Sequence, residues 1–106
     1  MDANGYPTIH ELKLIREWQM NCRQDAIDLI EYVRDRWKYA DYWGLSFDGR
    51  LLKLSTAGWS GNEDVIDALS DNAAFWLLHW RSSRRGGHYV FEIRKGNDGG
   101  GDTWET

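Results

Sequence analysis

Cysteine is almost absent from this chain. Cys22 stands alone, which excludes an internal disulfide and any zinc site built from several thiolates. No apolar run approaches the roughly 20 residues that a membrane-spanning helix needs, and the opening residues show no signal-peptide pattern. A basic excess is missing as well. Against 17 acidic residues stand 13 lysines and arginines, a net charge of −4, which argues against a general nucleic-acid binder. These absences lead to the expectation of a soluble protein in a reducing cytoplasm, with no membrane partner and no cofactor.

Aromatic residues are what the chain has in plenty: seven tryptophans, five tyrosines and three phenylalanines among 106 residues. Such side chains fill a small interior with few residues, and their polar edges also suit a surface that binds. The length fits one domain, expected over residues 1–95. A Gly-rich, acidic tail follows over 96–106, too polar to bury and expected to be mobile. Charge is segregated along the sequence. Glu63, Asp64, Asp67 and Asp71 form one run, and Arg81, Arg84, Arg85, Arg94 and Lys95 another. Two solvated faces of opposite sign, able to steer a charged partner, are the natural outcome.

The pattern of elements starts with Pro7 and the capping box Thr8-x-x-Glu11, which opens a helix with Ile9, Leu12, Ile15 and Trp18 on one face. Asn21 and Gln24 repeat the capping signal more weakly. Ala26, Leu29, Ile30, Val33 and Trp37 then recur at i, i+3, i+4, i+7 and i+11, the spacing of a buried helix stripe. Around Asp48-Gly49 the run WGLSFDGRLLKLS reads as a tight β-hairpin. A two-residue turn there sets Arg50 opposite Phe47, Leu52 opposite Leu45 and Leu54 opposite Trp43. A short helix from about Gly61 to Asp71 carries Val65, Ile66 and Leu69 inward. The next run, NAAFWLLHW, supports two readings: a continued helix through Ala73, Trp76, Leu77 and Trp80, or a strand alternating across its faces. The turn-like RSSRRGG and the alternating HYVFEIR favour the strand, with Tyr89, Phe91 and Ile93 toward the core. The expected fold is therefore α+β in the order ααββαββ, with helices packed on an antiparallel sheet.

Two segments carry candidate chemistry. In Gly58-Trp59-Ser60-Gly61-Asn62 the glycines allow close backbone approach, and a helix start follows that offers unpaired N–H groups to an anion. The same residues form a capping box, Ser60-x-x-Glu63, which engages those donors within the protein, and Glu63 and Asp64 repel a phosphate. The lysine and glycine spacing of a P-loop is missing, and Asn62 stands where the G-x-S-x-G elbow needs its last glycine. What the cap leaves unexplained is Trp59. The second segment, Arg84-Arg85-Gly86-Gly87-His88, sets two guanidinium forks beside a histidine. It reads either as a polar turn or as a site for phosphate or carboxylate. His79 and His88 could approach across this hairpin, but two histidines without a third ligand make a weak metal signal.

The run LSTAGWSGNEDVIDALSDNAAFWLLHWRSSRRGGHYVFEI resembles a group of small proteins from tailed bacteriophages and prophages. The features that carry the resemblance are GWSGNE at Gly58–Glu63, Phe75-Trp76 followed by Trp80, and the GGHY-F segment at Gly86–Phe91. It covers the C-terminal half strongly, and the helical half only through its IREW…WKY layout. The resemblance implies a phage origin and the host cytoplasm as setting, and it transfers no activity, cofactor or catalytic residue.

The reading that follows is a non-enzymatic phage accessory protein. It engages a host protein, for example one of a defence system as an inhibitor, or a small anionic ligand, through Trp59, Asn62, Arg84, Arg85 and His88. A small phosphate-ester or nucleotide hydrolase, with His88 as acid or base and the arginines as clamps, is the alternative. A minor structural component of the virion is a third.

Overall fold

A computed structural model describes residues 6–38 and 44–93. The capping box at Thr8 is formed in both directions. The Thr8 hydroxyl accepts from Glu11 N–H at 3.1 Å, and the Glu11 carboxylate accepts from Thr8 N–H at 2.9 Å. From this cap runs α1, Ile9–Arg16. A second helix, α2, covers Arg23–Arg34 and starts from Cys22 without a side-chain cap. Instead of Asn21 capping with its side chain, its N–H donates to the Asp25 carboxylate at 2.9 Å. Ala26, Leu29, Ile30, Val33 and Trp37 are all buried, as their spacing requires. On α1 only Ile15 is fully inside; Leu12 and Trp18 pack at its margin, and Ile9 is 81 % exposed.

Next come β1, Leu45–Phe47, and β2, Leu51–Ser55, paired antiparallel with Phe47 opposite Leu52 and Leu45 opposite Leu54. The pairing is two residues away from the one a two-residue turn implies. Asp48 is the cause: its carboxylate accepts from Arg50 N–H at 2.8 Å and Leu51 N–H at 2.7 Å, so the turn closes over four residues. Because side chains alternate with period two, an even shift keeps Leu45, Phe47, Leu52 and Leu54 on one face. The expected pairing of Trp43 lies outside the described residues, as does the tail 96–106.

Residues 73–79 are helical, which corrects the expected strand. Helix α3, Ser60–Asp71, ends at Asn72, whose backbone leaves the helix and whose side chain caps α4, Ala73–His79, by accepting from Phe75 N–H at 3.1 Å. The same amide donates to the carbonyls of Ile15 and Trp18, fastening the break to the end of α1. Phe75 and His79, four apart, are buried while Leu77 is 84 % exposed, the signature of one helix face. Only then does the chain extend into β3, Trp80–Arg84, which turns through 85–87 into β4, His88–Glu92.

The four strands form one antiparallel sheet in the order β1-β2-β4-β3. Leu52, Leu54, Phe91 and Ile93 meet Ile15, Leu29, Val33, Val65, Leu69 and Phe75 in a single core between sheet and helices. The protein is thus α+β, with the helices on one face of the sheet. None of the described helices packs on the other face, and there the candidate site lies.

Candidate functional site

Two places concentrate the residues singled out by the sequence, and they are built differently. The first is the corner from Thr56 to Asn62. Helix α3 begins at Ser60, so Trp59 occupies the cap position and makes no side-chain cap bond. The Ser60–Glu63 capping box therefore does not form, because Ser60 already lies one residue inside the helix. The third helical position belongs to Asn62, which points inward and is 0 % exposed. Its Oδ1 accepts from Lys38 N–H at 2.9 Å, and its Nδ2 donates to the carbonyls of Lys38 at 3.2 Å and Thr56 at 3.4 Å. Asn62 is thus a clamp between the end of α2 and the start of α3, and its amide is unavailable to a ligand, contrary to the expectation from GWSGN.

Trp59 is half-buried at the same corner. Its ring lies 4.7 Å from the Tyr6 ring at a 31° tilt, and the Lys38 ammonium sits 4.7 Å from its centroid. The ring also lies over Gly61, where any added Cβ would run into it, so that glycine is required by close approach. Trp59 is accordingly the lid of the corner.

The second place is the open face of the sheet. Strand register sets two rows across it. Ser46, Lys53, Val90 and Ser82 form one; Ser55, His88 and Arg84 form the next. Here lies a concavity of about 740 Å³ lined by Ser46, Lys53, Ser55, Arg84, His88 and Val90, with no carboxylate among its lining residues. Farther along the same face Arg50 and Arg81 both pair with Glu92, at 2.8 and 3.4 Å. Lys53, Arg84 and Arg85, by contrast, form no ion pair with any described residue. The acidic residues of α3 stand on the helical layer: Glu63, Asp64, Asp67 and Asp71 are exposed there, while Val65, Ile66 and Leu69 of the same helix face the core. The protein thus separates its charge between two layers.

The joint between the two places is Thr56. Its N–H donates to the Gly87 carbonyl at 2.9 Å, which fastens the β3–β4 turn to the end of β2. Gly87 has φ +78°, and a Cβ there would collide with the Thr56 hydroxyl. This anchorage fixes His88 beside Ser55, with Arg84 opposite His88 on its other side.

Of the five residues expected to bind, the structure brings Arg84 and His88 together as direct cross-strand neighbours. Arg85 is exposed in the turn beside them, outside the concavity, and Trp59 and Asn62 do not line it. The two histidines lie on opposite sides of the sheet: His79 packs in the core against Phe75, and His88 is exposed. Among the described residues no group of three His, Cys, Asp or Glu side chains could hold a metal ion, and no helix is long and apolar enough to cross a membrane. Sequence reasoning missed Lys53, Ser46 and Ser55. The alternation of LLKLS places Lys53 on the exposed side of its strand, but only the pairing of β2 with β4 puts it next to Val90 and His88. No family model, curated protein or solved structure matches this chain.

Proposed function

We propose that the protein is a non-enzymatic binding module of phage origin, acting in the host cytoplasm, whose open sheet face takes a small anionic ligand of nucleotide type. One observation carries this reading: among the described residues the cations lining the concavity, Lys53 and Arg84, have no carboxylate partner, whereas Arg50 and Arg81 at the other end of the same face share Glu92. An anion arriving at Lys53 and Arg84 displaces no ion pair among the described residues, and a guanidinium, an ammonium and hydroxyls together make a donor set matched to phosphate oxygens. His88 adds a ring nitrogen between them. The volume suits a ligand of roughly drug size. The resemblance of the C-terminal half supports the phage setting.

Isothermal titration with adenosine 5′-monophosphate and adenosine 5′-triphosphate tests the reading. Binding is expected to weaken as salt rises and to vanish when both Lys53 and Arg84 are replaced by alanine. Equal binding by the double variant would overturn it. Hydrolysis of the nucleotide during the titration, removed by His88→Gln, would overturn the non-enzymatic part.

A further inference from the structure

Resting on that reading of the sheet face, we infer that its ligand carries two separate phosphate groups, one taken by Lys53 with Ser46 and the other by Arg84 with His88 and Ser55. The donors of the face fall into two sets. Ser46 lies directly opposite Lys53 across the β1–β2 pair. Ser55 and Arg84 flank His88 on either side, across the β2–β4 and β3–β4 pairs. Each set therefore holds one cation, Lys53 with Ser46 directly opposite and Arg84 with His88 directly opposite, and Ser55 stands beyond His88 on the strand of Lys53.

Sheet geometry separates the two sets. Lys53 and Arg84 are two strands apart and two residues apart along the strands, which places their Cα atoms roughly 12 Å from each other. Between them, in the Lys53 row, stands Val90, which offers nothing to an anion and a flat apolar contact to whatever joins two anionic groups. For one phosphate to satisfy both cations, both long side chains would have to fold inward over Val90, bringing like charges together and fixing their rotamers. Two phosphates, one for each set, leave both side chains near their own directly opposite neighbours and keep the cations apart. A concavity of about 740 Å³ is also much larger than one phosphate requires.

Three probes of one nucleoside test this by isothermal titration against the intact protein: adenosine 3′,5′-bisphosphate, adenosine 5′-diphosphate and adenosine 5′-monophosphate. The bisphosphate holds its phosphates on opposite sides of the ribose, whereas the diphosphate holds them adjacent. The bisphosphate is expected to bind about tenfold more tightly than the monophosphate, the gain of one further charge-assisted contact, with the diphosphate close to the monophosphate. Lys53→Ala and Arg84→Ala should each bring the bisphosphate to the affinity of the monophosphate. Both side chains are exposed, and unchanged melting curves will show that the fold is intact. If diphosphate and bisphosphate bind equally well, or if either variant abolishes all binding, the face holds a single anion and the two-phosphate inference falls while the proposed function stands. If no probe binds, the proposed function itself falls.

Discussion

The corner at Thr56–Asn62 and the open face across Lys53, His88 and Arg84 are joined through one residue, yet they use polar groups in opposite ways. At the corner both side-chain polar atoms of Asn62 are engaged by the backbone, and Trp59 is covered by Tyr6 and Lys38. On the sheet face Lys53 and Arg84 are solvated and form no ion pair with any described residue. A group whose hydrogen bonds are complete stabilises the fold and has nothing to offer a ligand. A charged group left without a partner at a concave surface adds little to stability and is available to bind. The lesson is that glycines and a tryptophan near a helix start mark close packing here, and that the proposed binding surface is made by strand register.

Asn62→Ala should break the corner most severely. It removes the partner of the Lys38 N–H and of two carbonyls and empties a fully buried position, at an expected cost of about 3 kcal/mol in urea unfolding. Nucleotide affinity, measured where the variant is still folded, should stay within about twofold, since a change of that size is well under 1 kcal/mol. Gly87→Ala comes next, at about 2 kcal/mol, because it strains a left-handed position and pushes on Thr56. It should also weaken nucleotide binding, because the turn that carries Arg84 and His88 loses its anchorage. Trp59→Ala, removing a half-buried ring from the lid, should cost about 1–2 kcal/mol and leave binding unchanged.

The smallest expected effect concerns pH and again separates engaged from available groups. Burial of the Glu11 carboxyl opposes its ionisation, but hydrogen bonds to the ionised form, including those from Thr8 N–H and the Arg36 guanidinium, outweigh this and hold its pKa at about 2 against an ordinary 4.5. A depressed carboxyl stabilises the fold fully above its unfolded pKa and loses that contribution as pH falls through the folded one. Glu11→Gln should therefore lower stability at neutral pH and flatten its decline between pH 4.5 and about 2, as read from melting temperature against pH.

Much of the architecture was legible because local signals and burial agree. The stripe on α2, the inward residues of α3 and the Tyr89, Phe91 and Ile93 alternation of the last strand all lie where their periods place them. Two capping boxes with the same spelling had different fates. Thr8 sits at the cap position with an extended backbone, whereas Ser60 is displaced into the helix because Asn62 is drawn inward to Lys38, a partner 24 residues away. The strand expected through Phe75–Trp80 is mostly a helix for a related reason. Alternation and helical spacing both fit FWLLHW, and the cap that decides between them, Asn72, is held by carbonyls of residues 54 and 57 positions earlier. The site was half legible. Arg84 and His88 are close in sequence and meet across a turn, but Lys53 and Ser46 join them only through the pairing of β2 with its two neighbours, which no local pattern encodes.

The central claim is that the open sheet face, and not the Trp59 corner, binds an anion. Heteronuclear NMR of the amides during titration with adenosine 3′,5′-bisphosphate tests it most directly. The account predicts saturable shifts at Ser46, Lys53, Ser55, Arg84 and His88, none beyond noise at Trp59 and Asn62, and loss of the response in the Lys53→Ala, Arg84→Ala double variant. Shifts centred on Trp59 that survive in that variant would contradict it.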